Sequence, residues 1–282
     1  MRNLSNALFA GIGVWLAAGL PPANLMAADL KTDLVFHADF DSSLDARIAK
    51  GDKRLYSASS YKEQSAAKPG LDGTGVELAP GAGRNGSGAL RFRTKNTKAV
   101  FFRAEDNVPF DAANWSGTLS FWLNLSPDQD LEPGFCDPIQ LTDKAYNDSA
   151  IWVDFTKDDK PRHFRLGVFG ALQSWNPENL APDKNPAFDK RLVVVKQPPF
   201  ERGKWTHVAV VYKGLGGNGS ATLYVNGVSQ GTTGGIREPF AWDKSLAAIR
   251  LGVNYVGLMD DVAIFRRALS AGEVKRIAGG KF

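Results

Sequence analysis

The chain has 282 residues, with 34 Lys and Arg against 30 Asp and Glu, and a formal net charge of +4 at pH 7. This weakly basic balance does not indicate a nucleic-acid partner, because nucleic-acid-binding domains concentrate far more positive charge. The single cysteine, Cys136, excludes an internal disulfide and has no His or Cys at motif spacing, so we expect a buried, inert thiol.

The N-terminal segment has the layout of a secretory signal peptide. Arg2 is its only charged residue, and the apolar run at 7–20 is too short to span a bilayer. Two prolines end that run, and Ala27 offers a small residue for cleavage. We therefore predict a signal peptide at residues 1–27, a domain at residues 28–282, and a secreted or periplasmic protein with no membrane span after cleavage. An uncleaved anchor is the alternative.

Short alternating runs separated by Gly, Pro, Asn and Asp dominate the remaining chain. Many short strands with turns between them indicate a single all-β domain, either a sandwich or a jelly roll. The Asn226–Gly227 pair predicts a type I′ hairpin, and Ser270 with Glu273 predicts one capped C-terminal helix. The predicted strands cover residues 33–40, 88–94, 99–104, 117–125, 151–155, 164–171, 204–212, 221–227, 248–253 and 259–265.

Two stretches carry no clear periodicity. Residues 41–87 are polar, and residues 172–203 contain five prolines. Loops of such length are usually functional or mobile. Within the first stretch, residues 81–86 read GAGRNG and match the dinucleotide-binding fingerprint. Because no strand leads into this motif and a strand rather than a helix follows it, we expect a turn.

Motifs of common catalytic and metal sites are absent or incomplete. Residues 39–45 begin like an EF-hand loop, but Leu44 and Lys50 stand where Gly and a bidentate Glu are needed. The sequence contains no H-E-x-x-H or C-x-x-C motif. His37 and His207 lie within strand patterns, so we expect hydrogen-bonded structural histidines.

The strands around two tryptophans carry aromatic and polar side chains on the face that does not enter the core. If these strands are neighbours, one sheet face collects aromatic rings beside hydrogen-bonding groups, which suits the apolar faces and hydroxyl rim of a sugar. The alternative is that the long loop covers the aromatics as a second small core. The predicted ligand-binding residues are Trp122, Trp152, Asp154, Arg165, Phe169 and Trp175.

Five motifs follow one another along nearly the whole predicted domain: LVFHADFD, GSGALRF, GTLSFWLNL, GKWTHVAVVY with ATLYVNGV, and GLMDDVAIFRRALSAGEV. In order and spacing they resemble the bacterial laminin-G-like, concanavalin A-like jelly rolls. The resemblance implies a two-sheet antiparallel jelly-roll sandwich with a short C-terminal helix. It leaves function open, because this fold occurs in lectins, adhesion modules and glycan-cleaving enzymes.

The same resemblance implies a structural Ca²⁺. In related jelly rolls, including laminarinase-type glucanases, an Asp of the closing strand often binds Ca²⁺ together with carbonyls near the first strand and a Gly-rich turn. Strand alternation places Asp260 on the face of Val262 and Ile264. A carboxylate satisfied by backbone N–H groups, or by Arg91 or Arg266, is the alternative. The residues implied as ligands are Asp260, Asp39, Asp41, Gly86 and Gly88.

One feature of the glucanase branch is missing, since nothing matches its Glu-x-Asp-x-x-Glu run. We therefore expect a secreted, non-catalytic module that binds a polysaccharide or other glycan. The alternatives are a glycan-active hydrolase or lyase using Asp154, Arg165 or His163, and an adhesion module that binds an extracellular protein. A close Asp/Glu pair in a groove would favour the enzyme, an exposed aromatic patch the lectin, and a covered concave face the adhesion module.

Overall fold

The computed structural model describes Met1, residues 30–73 and residues 75–280. The predicted signal peptide at residues 1–27 lies outside the described residues, apart from Met1. In the described part the strands are β1 (Leu34–Ala38), β2 (Ile48–Ala49), β3 (Leu55–Ala58), β4 (Lys68–Pro69), β5 (Val76–Ala79), β6 (Ala89–Phe92), β7 (Ala99–Arg103), β8 (Trp115–Asn124), β9 (Cys136–Thr142), β10 (Ala150–Phe155), β11 (Phe164–Phe169), β12 (Leu192–Val195), β13 (Thr206–Leu215), β14 (Gly219–Val225), β15 (Val228–Ile236), β16 (Ala248–Val253) and β17 (Gly257–Phe265).

Helices are few and short. The α-helices are α1 (Leu30–Asp33), α2 (Pro127–Asp130), α3 (Leu172–Trp175), α4 (Pro186–Asp189) and α5 (Ala271–Ala278), and 3₁₀ turns lie at Tyr61–Ala66, Arg84–Gly86 and Pro182–Lys184. The predicted C-terminal helix is α5. None of the helices in the described ranges is long and apolar enough to cross a membrane.

Each of the ten predicted strands is present in the structure. Asn226 and Gly227 have positive φ angles of 50° and 76°, as a type I′ hairpin requires, so that prediction is confirmed. The glycine-rich motif at residues 81–86 ends in the 3₁₀ turn Arg84–Gly86 and is followed by β6, which confirms a turn. Cys136 is free and buried, as expected.

The strands form two antiparallel sheets. Sheet A has the order β15-β14-β13-β8-β17-β1-β2. In addition, β6 pairs with β17, and β5 pairs with β6. Sheet B has the order β12-β11-β10-β9-β16-β7-β3-β4. The predicted two-sheet antiparallel sandwich with a short C-terminal helix is therefore confirmed.

The core lies between the two sheets. In β10, Ile151 and Val153 join this core, whereas Trp152 belongs to a separate cluster on the opposite face, as strand alternation requires. Phe36 of sheet A and Phe102 of sheet B meet edge to face with ring centroids 4.9 Å apart. Burial of each such ring stabilises the fold by about 1.5–3 kcal/mol.

The outer face of sheet A is covered by the two ends of the described domain. Val274 and Ile277 of α5 pack with Leu30 of α1 on Ala263 and Phe265 of β17. This burial explains why the last strand is apolar on both of its faces.

Charged side chains join the same two ends. Asp33 accepts hydrogen bonds from Arg266 at 3.0 Å and from Arg267 at 2.6 Å. Arg267 also donates to Glu273 of α5 at 2.6 Å. The network fixes α1 and α5 to the end of β17.

The expected alternation in β17 is wrong at its carboxylates. Asp261 has a φ of 50°, and the pairing register with β8 shifts just after Asp260. This β-bulge inserts one residue and resets the alternation. Val262 and Ile264 enter the core, whereas Asp260 pairs directly with Trp122 and so shares its outer face.

The capping box of α5 gives a stability prediction. The Ser270 hydroxyl accepts the Glu273 N–H at 3.3 Å, and the Glu273 carboxylate accepts the Ser270 N–H at 2.8 Å. We expect Ser270→Ala to lower the free energy of unfolding by about 1 kcal/mol, because the Glu273 N–H loses its acceptor. Denaturant unfolding measures this. Ser65→Ala, at an exposed serine, should leave the free energy unchanged, and an equal loss in both variants would contradict the capping role.

Candidate ligand-binding site

The outer face of sheet B contains a cavity of about 270 Å³, here called the aromatic pocket. Its walls come from β9, β10, β11, the loop before β10 and the segment 182–188. The lining residues are Phe135, Asp137, Tyr146, Trp152, Asp154, Arg165, Pro182 and Phe188.

Trp152 forms part of the floor and is held rigidly. It pairs across the sheet with Gly167, where any Cβ would collide with the indole ring. Its N–H donates to the Tyr146 carbonyl at 2.6 Å. Only 2% of Trp152 is exposed, so it offers an edge to the pocket rather than a free ring face.

Asp154 and Arg165 are cross-strand neighbours and form a two-bond ion pair. Arg165 Nε donates to Asp154 Oδ1 at 2.8 Å, and Nη2 donates to Oδ2. The guanidinium also lies 5.2 Å from the Phe135 ring centroid and 5.7 Å from that of Trp152. Such cation–π contacts hold the ion pair in a fixed position beneath the pocket.

Asp137 is the second carboxylate of the pocket. Its Oδ2 accepts a hydrogen bond from the Gln140 side-chain amide. Burial raises the pKa of Asp137 to about 8, and the charge of Asp154 adds to the rise. Burial also raises the pKa of Asp154, and the Arg165 guanidinium opposes that change. The charge of Arg165 opposes the rise in pKa at both carboxyls, but its hydrogen bonds go to Asp154.

Two aromatic side chains of the pocket are accessible to solvent. Phe135 is 44% exposed and Tyr146 is 40% exposed. They can stack on a ligand, whereas the buried rings of the floor cannot. Both residues lie outside the strands and were missed from the sequence, and Asp137 was missed because a proline at position 138 disguises β9 as a loop. The alternation of apolar Ile139, polar Gln140 and apolar Leu141 was the signal that could have indicated this strand.

The structure brings together only part of the predicted ligand-binding set. Trp152, Asp154 and Arg165 line the aromatic pocket. Phe169 and Trp175 are packed with Phe188 in a closed cluster under the loop. Only 8% of Trp175 is exposed, and its N–H donates to the Asn147 carbonyl at 2.9 Å. The loop therefore covers these two aromatics as a second small core, which is the alternative that the sequence left open.

The prediction that Trp122 shares this face is wrong. Its strand, β8, lies in sheet A between β13 and β17. The Arg84 guanidinium lies 3.6 Å from the Trp122 ring centroid, and the His207 ring is 4.9 Å away. His207 also bonds Ser120 at 2.9 Å, which confirms it as a hydrogen-bonded histidine of the structure.

The paired carboxylates of β17 are satisfied in different ways. The Asp260 carboxylate accepts the Arg84 N–H at 2.9 Å and the Asp261 N–H at 2.8 Å. Asp261 accepts the Arg84 guanidinium at 2.6 Å and contacts His37 at 3.0 Å. Burial raises the pKa of Asp260 to about 7, and the charges of Asp261 and Asp41 contribute to the rise.

Carbonyl oxygens approach the glycine-rich turn near this carboxylate. A Cβ at Gly88 would collide with the carbonyl oxygens of Phe40 and Asp41, just after β1. Phe40 has a φ of 50°, and the Asp39 carboxylate accepts the Asp41 N–H at 3.4 Å. Gly86 lies in the same turn with a φ of 81°. Within residues 30–73 and 75–280, no three His, Cys, Asp or Glu side chains form a metal-binding group. A cation here would therefore need backbone carbonyls beside Asp260.

The raised pKa of Asp137 predicts a pH dependence. Its ordinary value is 3.8 and its value in the fold is about 8. The folded chain therefore keeps a proton that the unfolded chain has already released, and stability falls as the pH rises through this interval. Each pKa unit corresponds to about 1.4 kcal/mol.

We therefore expect Asp137→Asn to gain several degrees in Tm over wild type between about pH 5 and pH 8, as followed by calorimetry. The exposed carboxylate of Asp183 provides the control variant, Asp183→Asn, whose Tm should follow wild type at every pH. Parallel Tm profiles of wild type and Asp137→Asn would show that the Asp137 carboxyl titrates normally.

Solved structures share this architecture. Domain 4 of AbnA, a GH43 extracellular arabinanase from Geobacillus stearothermophilus in complex with arabinotriose, is 17% identical, with a TM-score of 0.53 over 87% of this chain and 98% of that chain. The binding domain of botulinum neurotoxin DC, in complex with rat synaptotagmin II, is 12% identical, with a TM-score of 0.58 over 89% of this chain and 52% of that chain.

A structure of botulinum neurotoxin type C, whose cell entry depends on two ganglioside molecules, is also 12% identical, with a TM-score of 0.56, covering 89% of this chain and 52% of that chain. This chain thus spans about half the length of the neurotoxin chains. Identities this low establish a shared fold alone.

The family follows from the sequence itself. A search of curated protein sequences gives no significant match. Residues 103–275 match the Laminin_G_3 family model, described as the concanavalin A-like lectin/glucanases superfamily. The match covers more than half of the chain and agrees with the two-sheet sandwich. The chain therefore belongs to the concanavalin A-like lectin/glucanases superfamily.

Proposed function

We propose that the protein is a secreted, non-catalytic glycan-binding module whose ligand enters the aromatic pocket. The observation that carries this proposal is the position of Phe135 and Tyr146, two exposed rings beside a polar floor. A sugar ring has apolar faces and a rim of hydroxyl groups. The rings would stack on the faces, and Asp137 and Asp154 would accept hydrogen bonds from hydroxyls.

The size of the pocket sets the scale of the interaction. A cavity of about 270 Å³ suits one sugar ring, with the rest of the glycan along the sheet. A single contact site of this kind gives a dissociation constant on the order of 1 mM, or about −4 kcal/mol. The fold shared with the arabinanase domain in complex with arabinotriose supports this class of ligand.

Glycan cleavage is the second candidate, and one observation favours it. Asp137 and Asp154 line the same pocket, and their environments differ because Arg165 binds only Asp154. A protonated acid beside an ionised carboxylate is the arrangement that glycosidases use. Turnover separates the two functions, since a binding module leaves an oligosaccharide intact while a hydrolase shortens it.

The exposed rings provide the test of binding. We expect Phe135→Ala and Tyr146→Ala each to weaken binding about tenfold or more, because each loses a stacking contact of about 1 kcal/mol along with its buried area. A glycan array identifies the ligand, and calorimetric titration measures the affinity. Val228→Ala, an exposed apolar residue on the edge strand β15, is the control. Unchanged affinity in both ring variants would refute the pocket as the site, and shortened oligosaccharides by mass spectrometry would favour the hydrolase.

A structural Ca²⁺ is part of the proposal. Its ligands would be the Asp260 carboxylate and backbone carbonyls of the Asp39–Asp41 loop and of the turn containing Gly86 and Gly88. Hard oxygen donors of this kind suit Ca²⁺. The raised pKa of Asp260 supports a bound cation, because burial beside other carboxylates leaves its charge undercompensated. The ion would bind oxygens from both segments and so hold the end of β1 to β17.

Chelation tests this part of the proposal. Extracellular modules bind Ca²⁺ with constants of roughly 10⁻⁴ to 10⁻³ M, and saturation at 100 times the constant adds about 2.7 kcal/mol. We expect EDTA to lower the Tm by several degrees and Asp260→Ala to abolish that response. Asp158→Ala, an exposed carboxylate far from β17 in sequence, should keep the response. An identical melting curve with EDTA, and no metal by elemental analysis, would refute the Ca²⁺ site. The two N–H hydrogen bonds would then be what satisfies the Asp260 carboxylate.

A further inference from the structure

The floor of the aromatic pocket contains two carboxylates, Asp137 and Asp154, and one guanidinium, Arg165. Arg165 is committed to Asp154 through two hydrogen bonds. The described partner of Asp137 is the neutral amide of Gln140, and no ion pair joins Asp137 to a Lys, Arg or His of the described ranges. When it is ionised, Asp137 therefore has no ion-pair partner among the described residues.

The charges at the rim do not compensate for Asp137. Lys157 pairs with Asp158 at 3.3 Å and lies 5.7 Å from the Phe135 ring centroid. Lys184 pairs with Asp183 at 3.4 Å. Both lysines are thus already paired with other carboxylates.

The aromatic walls of the pocket also favour a positively charged group in the ligand. Phe135 and Tyr146, the two exposed rings, line the same pocket as Asp137. The faces of aromatic rings attract cations, most strongly where water is displaced. A carboxylate among aromatic rings recognises an ammonium group. The same floor opposes a uronate, whose carboxylate would meet two others.

We infer that the sugar unit that enters the aromatic pocket carries a protonated amine, which pairs with Asp137. The inference rests on the proposed function, because it names the ligand chemistry of the same site. The amine would offset the charge that burial makes costly on Asp137, consistent with the raised pKa of that carboxyl. Phe135 and Tyr146 would stack on the faces of the amino sugar.

The experiment compares three probes on the full chain by calorimetric titration: chitosan oligomers, the same oligomers fully N-acetylated, and oligogalacturonate of equal length. We expect the free amine to bind at least tenfold more tightly than its acetylated counterpart, and the uronate to show no binding. Asp137→Asn should bind the chitosan oligomers and the N-acetylated oligomers with equal affinity. Asp183→Asn, at the rim, should keep the difference between these two probes. Added salt should reduce the preference in wild type and in Asp183→Asn.

Failure of this inference is distinguishable from failure of the proposed function. Equal or tighter binding of the acetylated or uronate probe would overturn the amine preference and leave glycan binding intact. A neutral glycan found on the array, with no binding of chitosan oligomers, would do the same. No binding to any glycan would overturn both. Because Asp137→Asn should gain Tm at about pH 8, its melting curve confirms that a lost preference is not a lost fold.

Discussion

Burial on both faces of β10 is the constraint on which the site depends. Ile151 and Val153 enter the core, so Trp152 must point to the outside of sheet B, where it also needs cover. The chain supplies that cover from the segment 172–191, while residues 61–67 cover another part of the same face. The aromatic pocket lies where β9, β10 and β11 meet the edge of the first cover. Its rigidity follows from the packing beneath it.

The ion pair at the floor links stability to recognition. Taking Asp154 and Arg165 out of water costs free energy, and their two hydrogen bonds and ring contacts offset this cost only while both partners remain. Because Arg165 is fixed in this way, Asp137 has to balance its own charge, by keeping a proton or by meeting a cation. The polar character of the pocket is thus a consequence of how its strands are held together.

Much of the fold could be predicted, because alternation and turn residues are local signals. The Asn226–Gly227 hairpin and the α5 capping box follow from adjacent residues. Strand β9 was missed because of Pro138, and with it Asp137. The placement of Trp122 failed for a different reason: strand partners in a sandwich are chosen by long-range packing, and β8 pairs with β13 and β17 rather than with β10. The β-bulge at Asp261 likewise depends on how β17 pairs with β8, which neighbouring residues in the sequence do not reveal.

The two candidate sites lie on different sheets, which bears on what a metal could do. The carbonyls at Phe40 and Asp41 and the carboxylate of Asp260 belong to loops and strands of sheet A, whereas every strand of the aromatic pocket belongs to sheet B. The packed core separates the two. A Ca²⁺ at Asp260 would therefore act on the stability of the sandwich and would not touch a sugar in the pocket. Recognition would depend on the rings and carboxylates of the pocket, so the ion and the ligand should affect the protein independently.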